Sequence, residues 1–470
     1  TTLVWYSVSA KSKMNVARHF TAALKLSGLG LFSFATMAAA DDPMASNNGL
    51  YPQPEQYKGS LLIANLDYPS APLTEAWTLG GGVGALTPQN AGQYVLAVKE
   101  YLQPTLRALI EDPASWNPRE AGWYDLVWSG AGDPGSYNRI DSTSGREVIM
   151  NTYTGQIMPA DTFLPPYTPS VDVQNHAVIY YNDVAATMLG SIWKNIYEPD
   201  MGAIGFPDGS IVVKAEAVTT TPDQWGVMTG ASSWTVFRPS IEDQQANKSP
   251  LVPQVLTVYP LQMAIKIKDT VASPKTGWVF LAFVYDANSD GTTPWDRFVP
   301  VGVMWGNDPE FARDPKGVPD GAALAETWIN PDRPPFTDSS LGWGGRLAGP
   351  MDVATRHNVL TPSGQRFEGA DHLRASSCMS CHGVAEFPFT ANLYPSPNKS
   401  FPRDGQQFLL YDPGSEEWAR WFQSRPGNQP MSGNIGGMAL DYDMAMMFAL
   451  SANAEAVGQS SFVKGKVDGH

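Results

Sequence analysis

Apolar residues recur at helical spacing in two stretches of the first half of the chain. In the first, residues 87–112, Thr87 and Pro88 have the pattern of an N-cap followed by proline at the first helical position. In the second, residues 172–196, the apolar positions share one helical face. Because residues three and four apart lie on the same side of a helix, each stretch predicts an amphipathic α-helix.

The middle of the chain changes to the two-residue period of β-strands. Between residues 263 and 268, methionine and isoleucine alternate with alanine and lysine, which predicts a half-buried strand with its lysine face in water. Residues 210–214 predict another strand. Residues 278–285 are apolar on both faces, and residues 298–305 are the predicted antiparallel neighbour. These patterns predict an antiparallel sheet or sandwich over about residues 200–310.

The C-terminal part is rich in loops, with one short helix predicted after Ser415 and a last helix near Asp441. The whole pattern predicts an α+β fold, in which a β-rich body with flanking helices precedes a mainly helical, loop-rich region. The predicted division is a leader at 1–40, a body at 41–340 and a C-terminal region at 341–470.

The net charge of the chain limits the kinds of molecule that it can be expected to bind. The 470 residues carry a formal net charge of −15, and the first 40 hold four basic and no acidic side chains, so the remainder carries −19. Repulsion between this charge and phosphate groups argues against nucleic acid as the partner. The charge suits docking to a basic patch on a partner protein, or it serves solubility alone.

The N-terminus has the pattern of a secretory signal peptide if Met14 is the true start, which would make residues 1–13 upstream read-through. Residues 26–36 form an apolar stretch too short to span a bilayer, and three alanines precede Asp41. Between Met14 and the apolar stretch, the basic residues are Arg18, His19 and Lys25. We therefore expect a periplasmic or secreted bacterial protein without a membrane span after processing.

The two cysteines of the chain both lie in one pentapeptide, Cys378-Met379-Ser380-Cys381-His382. This is the attachment pattern of a c-type haem. Thiols at positions i and i+3 lie about one helical turn apart and reach the two vinyl groups of one porphyrin edge. His382 then supplies the proximal iron ligand. A thioredoxin-like dithiol needs no following histidine, and a structural zinc site needs four ligands where no second cysteine pair exists.

The sequence offers several candidates for the sixth iron ligand. Met431 is the first candidate, since it lies in a loop before the last helix, and Met438 is the second. His176 is an alternative, either as a distal ligand or as an acid–base group over an open iron, and otherwise a buried histidine. The remaining methionines of the last helix are predicted core residues, namely Met444, Met446 and Met447. The candidate partners of the haem propionates are Arg346, Arg374 and Arg403.

The order of a Cys-x-x-Cys-His helix, a methionine loop and a terminal helix resembles a class I cytochrome c domain. The wider chain resembles a group of large bacterial proteins of the cytochrome c family over most of residues 75–385. The segments that carry this likeness are residues 175–182, 277–280, 305–309 and 376–383. The resemblance implies a periplasmic protein with one haem and indicates no substrate.

Together these observations predict a periplasmic monohaem c-type cytochrome that transfers one electron between redox proteins. Two alternatives remain, because the body is far larger than one haem requires. In the first, the body is a substrate domain of a haem-dependent oxidoreductase or peroxidase-like enzyme. In the second, the protein is a haem-based ligand sensor.

Overall fold

The computed structural model of the chain describes residues 49–129, 145–352, 355–356, 373–374, 376–388, 413–431 and 437–457. All of these belong to one compact unit, Ala39–His470, which includes both the predicted body and the predicted C-terminal region. Among the helices in these ranges, none combines the length and the apolar run needed to cross a membrane.

An eight-stranded antiparallel sheet forms the centre of the fold. Its strands, in chain order, are β1 Tyr153–Met158, β2 Val173–Tyr181, β3 Ile211–Val218, β4 Trp234–Arg238, β5 Gln254–Lys268, β6 Trp278–Tyr285, β7 Phe298–Met304 and β8 Thr327–Ile329. In space the order is β1-β2-β3-β5-β6-β7-β8, and β4 pairs with the first part of the long strand β5. The predicted β-rich α+β class is confirmed.

Six α-helices and two small β-ladders accompany the sheet in the described ranges. The helices are α1 Ala91–Glu111, α2 Asp183–Ile192, α3 Ile241–Gln245, α4 Cys378–His382, α5 Glu416–Trp421 and α6 Met444–Ala456. The ladders pair β9 Thr355–Arg356 with β10 Leu373–Arg374, and β11 Glu386–Phe387 with β12 Met438–Ala439.

The sheet separates two buried layers. Successive side chains of β6 alternate between them, so that Trp278 and Phe280 enter one layer while Val279 and Leu281 enter the other. Helices α2 and α6 cover the first layer, which we call the α6 face, and α1 covers the second, the α1 face. Both faces of the central strands are therefore buried, which explains the continuous apolar run of β6.

Several predicted elements are confirmed. Helix α1 lies within the predicted residues 87–112, and β6 and β7 pair in antiparallel register as expected. Ser415 caps α5, because its side chain accepts a hydrogen bond from the backbone of Trp418 at 3.1 Å. The sheet extends further than predicted, from Tyr153 to Ile329.

The single helix predicted for residues 172–196 is wrong. Its first half is strand β2, and its second half is helix α2, which begins after Asn182. The Asn182 side chain accepts from the backbone N–H of Ala185 at 3.0 Å and so caps the helix. Because β2 is buried on both faces, its apolar residues follow no two-residue alternation, and the helical period of α2 was extended backwards across them.

The water-exposed lysine face predicted for residues 263–268 is also wrong. Lys266 is 5% exposed and Lys268 has a side chain 16% exposed, and both lie on the α6 face of β5. Each pairs with an aspartate that precedes α6, so the C-terminal residues cover the face that the sequence assigned to solvent.

Candidate haem site

Helix α4 carries the whole Cys-x-x-Cys-His motif and is held at its first turn. The Ser377 hydroxyl accepts from the N–H of Ser380 at 3.0 Å, and the Ser380 hydroxyl accepts from the N–H of Ser377 at 2.8 Å. This is a reciprocal capping box. Ser377 also donates to the side chain of Asn307, in the loop after β7, at 2.7 Å. A five-residue helix is unstable alone, so these bonds fix where the motif begins.

The two thiols are free and half-buried on this helix. Cys378 packs against the α6 face of the sheet. The sulfur of Cys381 lies 3.9 Å from the sulfur of Met444, the first residue of α6. Burial, followed by the nearby charge of Asp352, raises the pKa of Cys378 and raises that of Cys381 to about 12, so both thiols are protonated at neutral pH.

The imidazole of His382 is oriented by the residues before α6. Its Nδ1 lies 3.0 Å from the backbone carbonyl oxygen of Tyr442, and its ring centre lies 5.1 Å from that of Phe280. Burial, followed by the positive charge of Lys266, lowers the pKa of His382 to about 4. A neutral imidazole whose Nδ1–H bonds a carbonyl leaves the lone pair of Nε2 for a metal.

The Tyr442 carbonyl is held by a strained turn. Asp441 and Tyr442 have φ angles of +49° and +63°, in the left-handed region that residues other than glycine rarely adopt. Asp441 accepts from the indole of Trp278 at 2.7 Å and from the ammonium of Lys268 at 2.8 Å. These bonds to the sheet compensate for the backbone cost and fix the carbonyl that His382 contacts.

A buried ion pair supports the same turn. The ammonium of Lys266 donates to Asp443 at 2.9 Å and to the Tyr442 carbonyl at 3.0 Å. Tyr181 of β2 donates its hydroxyl to Asp443 at 3.1 Å. The Tyr442 oxygen therefore faces both the candidate iron ligand and a buried cation, an arrangement that the sequence did not predict.

A buried polar group lies beside the motif on strands β3 and β5. Lys214 pairs with Asp352 at 2.6 Å and with Glu216 at 2.8 Å, and Gln262 donates to Asp352 at 2.5 Å. Burial, followed by the charge of Asp352, raises the pKa of Glu216. The lysine satisfies both carboxylates and ties the segment before β9 to the sheet.

The methionines fall into different surroundings. Met431 is 9% exposed and packs in a separate cluster with Val384 and the aromatic residues Trp343, Trp418, Trp421 and Phe422. Met438 is 37% exposed on β12. Met446 and Met447 are buried core residues of the α6 face, as predicted. Met444 is partly buried against the same core, and its sulfur also contacts that of Cys381.

His176 does not lie near the motif. It occupies β2 rather than the start of a helix, opposite Ala217 of β3, and shares the α1 face with Val178 and Tyr180. It is fully buried, and neither ring nitrogen has a hydrogen-bond partner in the described part of the chain. Burial, followed by the charge of Arg238, lowers its pKa to about 3. The sheet lies between its side chain and the α6 face where the motif packs.

The three arginines predicted to bind the haem propionates also lie in different surroundings. Arg346 is fully buried, and its guanidinium donates to the backbone carbonyls of Asn307, Asp308, Gly317 and Trp343 at 2.7–3.0 Å. All three side-chain nitrogens of Arg346 therefore bond backbone carbonyls and hold these loops together. Arg374 is half-buried on β10, and Arg403 lies outside the described residues.

No protein-family model, curated protein or solved structure matches the chain. Within the described residues, no group of three or more histidine, cysteine, aspartate or glutamate side chains has an arrangement that could hold a metal ion. The donor set at α4 nevertheless fits a covalent haem, since it combines two free thiols with one neutral imidazole whose Nδ1 is already bonded.

Proposed function

We propose that the protein is a periplasmic c-type cytochrome with one haem, joined to Cys378 and Cys381 and ligated by His382, that transfers single electrons between redox proteins. The observation that carries the proposal is the complete motif on one capped helix, with His382 already oriented by a carbonyl. When bound, a haem supplies a one-electron iron couple.

The chain's own residues have three tasks in this proposal. The thiols of Cys378 and Cys381 hold the porphyrin edge. The Tyr442 carbonyl accepts the Nδ1–H of His382, which sets the tautomer and makes Nε2 a more basic ligand. Phe280 packs against the imidazole, with the ring centres 5.1 Å apart, and this packing beside the ligand would help to tune the potential.

The direct test is the state of the pigment in protein purified from the periplasm. Extraction with acidic acetone should leave the colour on the chain, and the intact mass should exceed that of the processed polypeptide by one haem. Extractable haem, or a mass without haem, would refute the proposal. The same sample tests the signal peptide, because the mass also gives the processed N-terminus.

Met431 is the proposed distal ligand, from its place in chain order before α6. Met431→Leu conserves size and is expected to abolish the weak long-wavelength ferric band of methionine-ligated haem. It should also lower the reduction potential by on the order of 0.1 V, within the span of about 0.8 V that axial ligands control. Met444→Leu is the matched comparison and should keep the band. The reverse result would assign the ligand to Met444 instead.

Electron transfer to a basic partner is expected to slow as salt is raised. With a formal charge of −19 after residue 40, long-range attraction should steer encounter, and salt screens it beyond about 10 Å at 0.1 M. Stopped-flow mixing with small basic cytochromes across ionic strength measures the effect, and an uncharged chemical reductant is the control. Equal salt dependence for both reductants would contradict steering. Rapid peroxide turnover would favour the enzyme alternative.

A further inference from the structure

Arg425 is a buried cation with unused hydrogen-bonding capacity. It lies between α5 and β12 and is 9% exposed. One terminal nitrogen, Nη2, donates to the backbone carbonyl of Gly383 at 2.9 Å. Within the described ranges, Nε and Nη1 have no hydrogen-bond partner. A buried donor without a partner destabilises the fold, and more so when it is charged, so this guanidinium is suited to bind an acceptor.

The position of Arg425 connects it to the proximal histidine by two short routes. Gly383, which receives its Nη2–H, directly follows His382. The Tyr442 hydroxyl donates to the Arg425 carbonyl at 2.8 Å, and the Tyr442 carbonyl is the group 3.0 Å from Nδ1 of His382. Arg425 is therefore held beside the motif through both its side chain and its backbone carbonyl.

No carboxylate of the described residues bonds the free nitrogens of Arg425. Burial lowers the pKa of Arg425, while interactions with Tyr442 and with the carboxylate of Glu386 act in the opposite direction. Glu386 is fully buried on β11. Arg346, by contrast, has all three of its nitrogens bonded to backbone carbonyls. Of these two buried arginines, Arg425 is thus the one with donors to spare for a carboxylate.

We propose that Arg425 binds a propionate carboxylate of the haem attached to α4. This inference rests on the proposed function, since it requires a haem at Cys378 and Cys381. Arginine suits the task, because its guanidinium stays charged when buried and donates several hydrogen bonds to a carboxylate. Arg425 would then be a positioning residue that keeps one propionate ionised and fixes the tilt of the porphyrin.

The experiment measures the reduction potential of haem-loaded Arg425→Gln as a function of pH. Loss of the cation should lower the potential near neutral pH, because the uncompensated propionate stabilises oxidised iron. The propionate pKa should rise by about one to three units, so the increase in potential on acidification should begin at correspondingly higher pH. Arg425→Lys keeps the charge and should restore most of the wild-type curve. The exposed Arg420 of α5 provides the control, Arg420→Gln, which should leave the curve unchanged.

Two further measurements separate the outcomes. Covalent haem, scored by intact mass, should persist in both Arg425 variants, because the thioether bonds do not involve this residue. Haem-loaded Arg425→Gln with the wild-type curve would overturn the inference but leave the proposed function intact, whereas wild-type protein without haem would refute both. If the variants do not fold, a crystal structure of the haem-loaded wild type decides. A propionate oxygen within about 3.2 Å of Arg425 supports the inference, and its absence overturns it.

Discussion

Replacing both Cys378 and Cys381 by serine is expected to remove covalently bound haem completely. A serine hydroxyl does not add to a porphyrin vinyl group under conditions in which a thiol does, so no bond can form on α4. His382 alone would hold haem by coordination, and acid or denaturant would release it. Intact mass spectrometry and haem staining after denaturing electrophoresis measure the loss.

Single variants and a neighbour in the same helix provide the controls. Cys378→Ser and Cys381→Ser each leave one thiol, so each should retain some covalent haem with a shifted absorption spectrum. Met379→Leu changes a fully buried residue between the two cysteines while conserving its volume, and it should retain full loading. The serine double variant with a full haem mass would contradict covalent attachment at α4.

The motif and the strands around it were predictable because their signals are local. Five consecutive residues define the attachment pattern, and the apolar run of β6 defines a strand buried on both faces. Residues 305–309 and 376–383 are distant from each other in the sequence. The structure joins these two segments through the bond from Ser377 to Asn307.

The support of His382 was not predictable, because it depends on pairings distant in the sequence. Lys266 and Asp443 are 177 positions apart and meet only after β5 enters the sheet and α6 packs on it. A lysine that alternates with isoleucine is typical of a strand with one wet face, and no local signal distinguishes the exceptional buried pair. The same holds for Arg425, since its burial and the two nitrogens without partners in the described residues follow only from the folded arrangement.

The error at His176 has a related cause. Both β2 and α2 are rich in apolar residues, and only Asn182 separates them. The apolar spacing of the helix therefore continued into the strand, and the two elements were predicted as one helix. At the start of a predicted helix, His176 was a candidate distal ligand. As a central strand, the segment directs the imidazole to the α1 face, away from α4. One change of secondary structure therefore removes a candidate ligand from the site.

Asp443→Asn is expected to lower the free energy of unfolding by about 3–5 kcal/mol, because it leaves the charge of Lys266 buried without a counter-charge. The two side chains are 6% and 2% exposed and lie 2.9 Å apart, so solvent cannot replace the lost carboxylate. The Tyr181 hydroxyl and the N–H of Met446 both bond one oxygen of Asp443, and the asparagine oxygen can still accept from them, so the ion pair is the main interaction lost. Urea unfolding of equally haem-loaded proteins measures the difference.

The exposed pair of Lys316 and Asp320 is the matched control. Its side chains are 70% and 89% exposed at 3.2 Å, so Asp320→Asn should cost less than about 1 kcal/mol. Adding Lys266→Met to Asp443→Asn removes the stranded charge and should recover much of the stability, because a buried pair contributes less than the penalty of breaking it. Asp443→Asn should also disturb the haem spectrum, since Asp443 and Lys266 fix the Tyr442 carbonyl against His382. Equal losses for Asp443→Asn and Asp320→Asn, with an unchanged spectrum, would show that this ion pair supports neither the fold nor the proximal ligand.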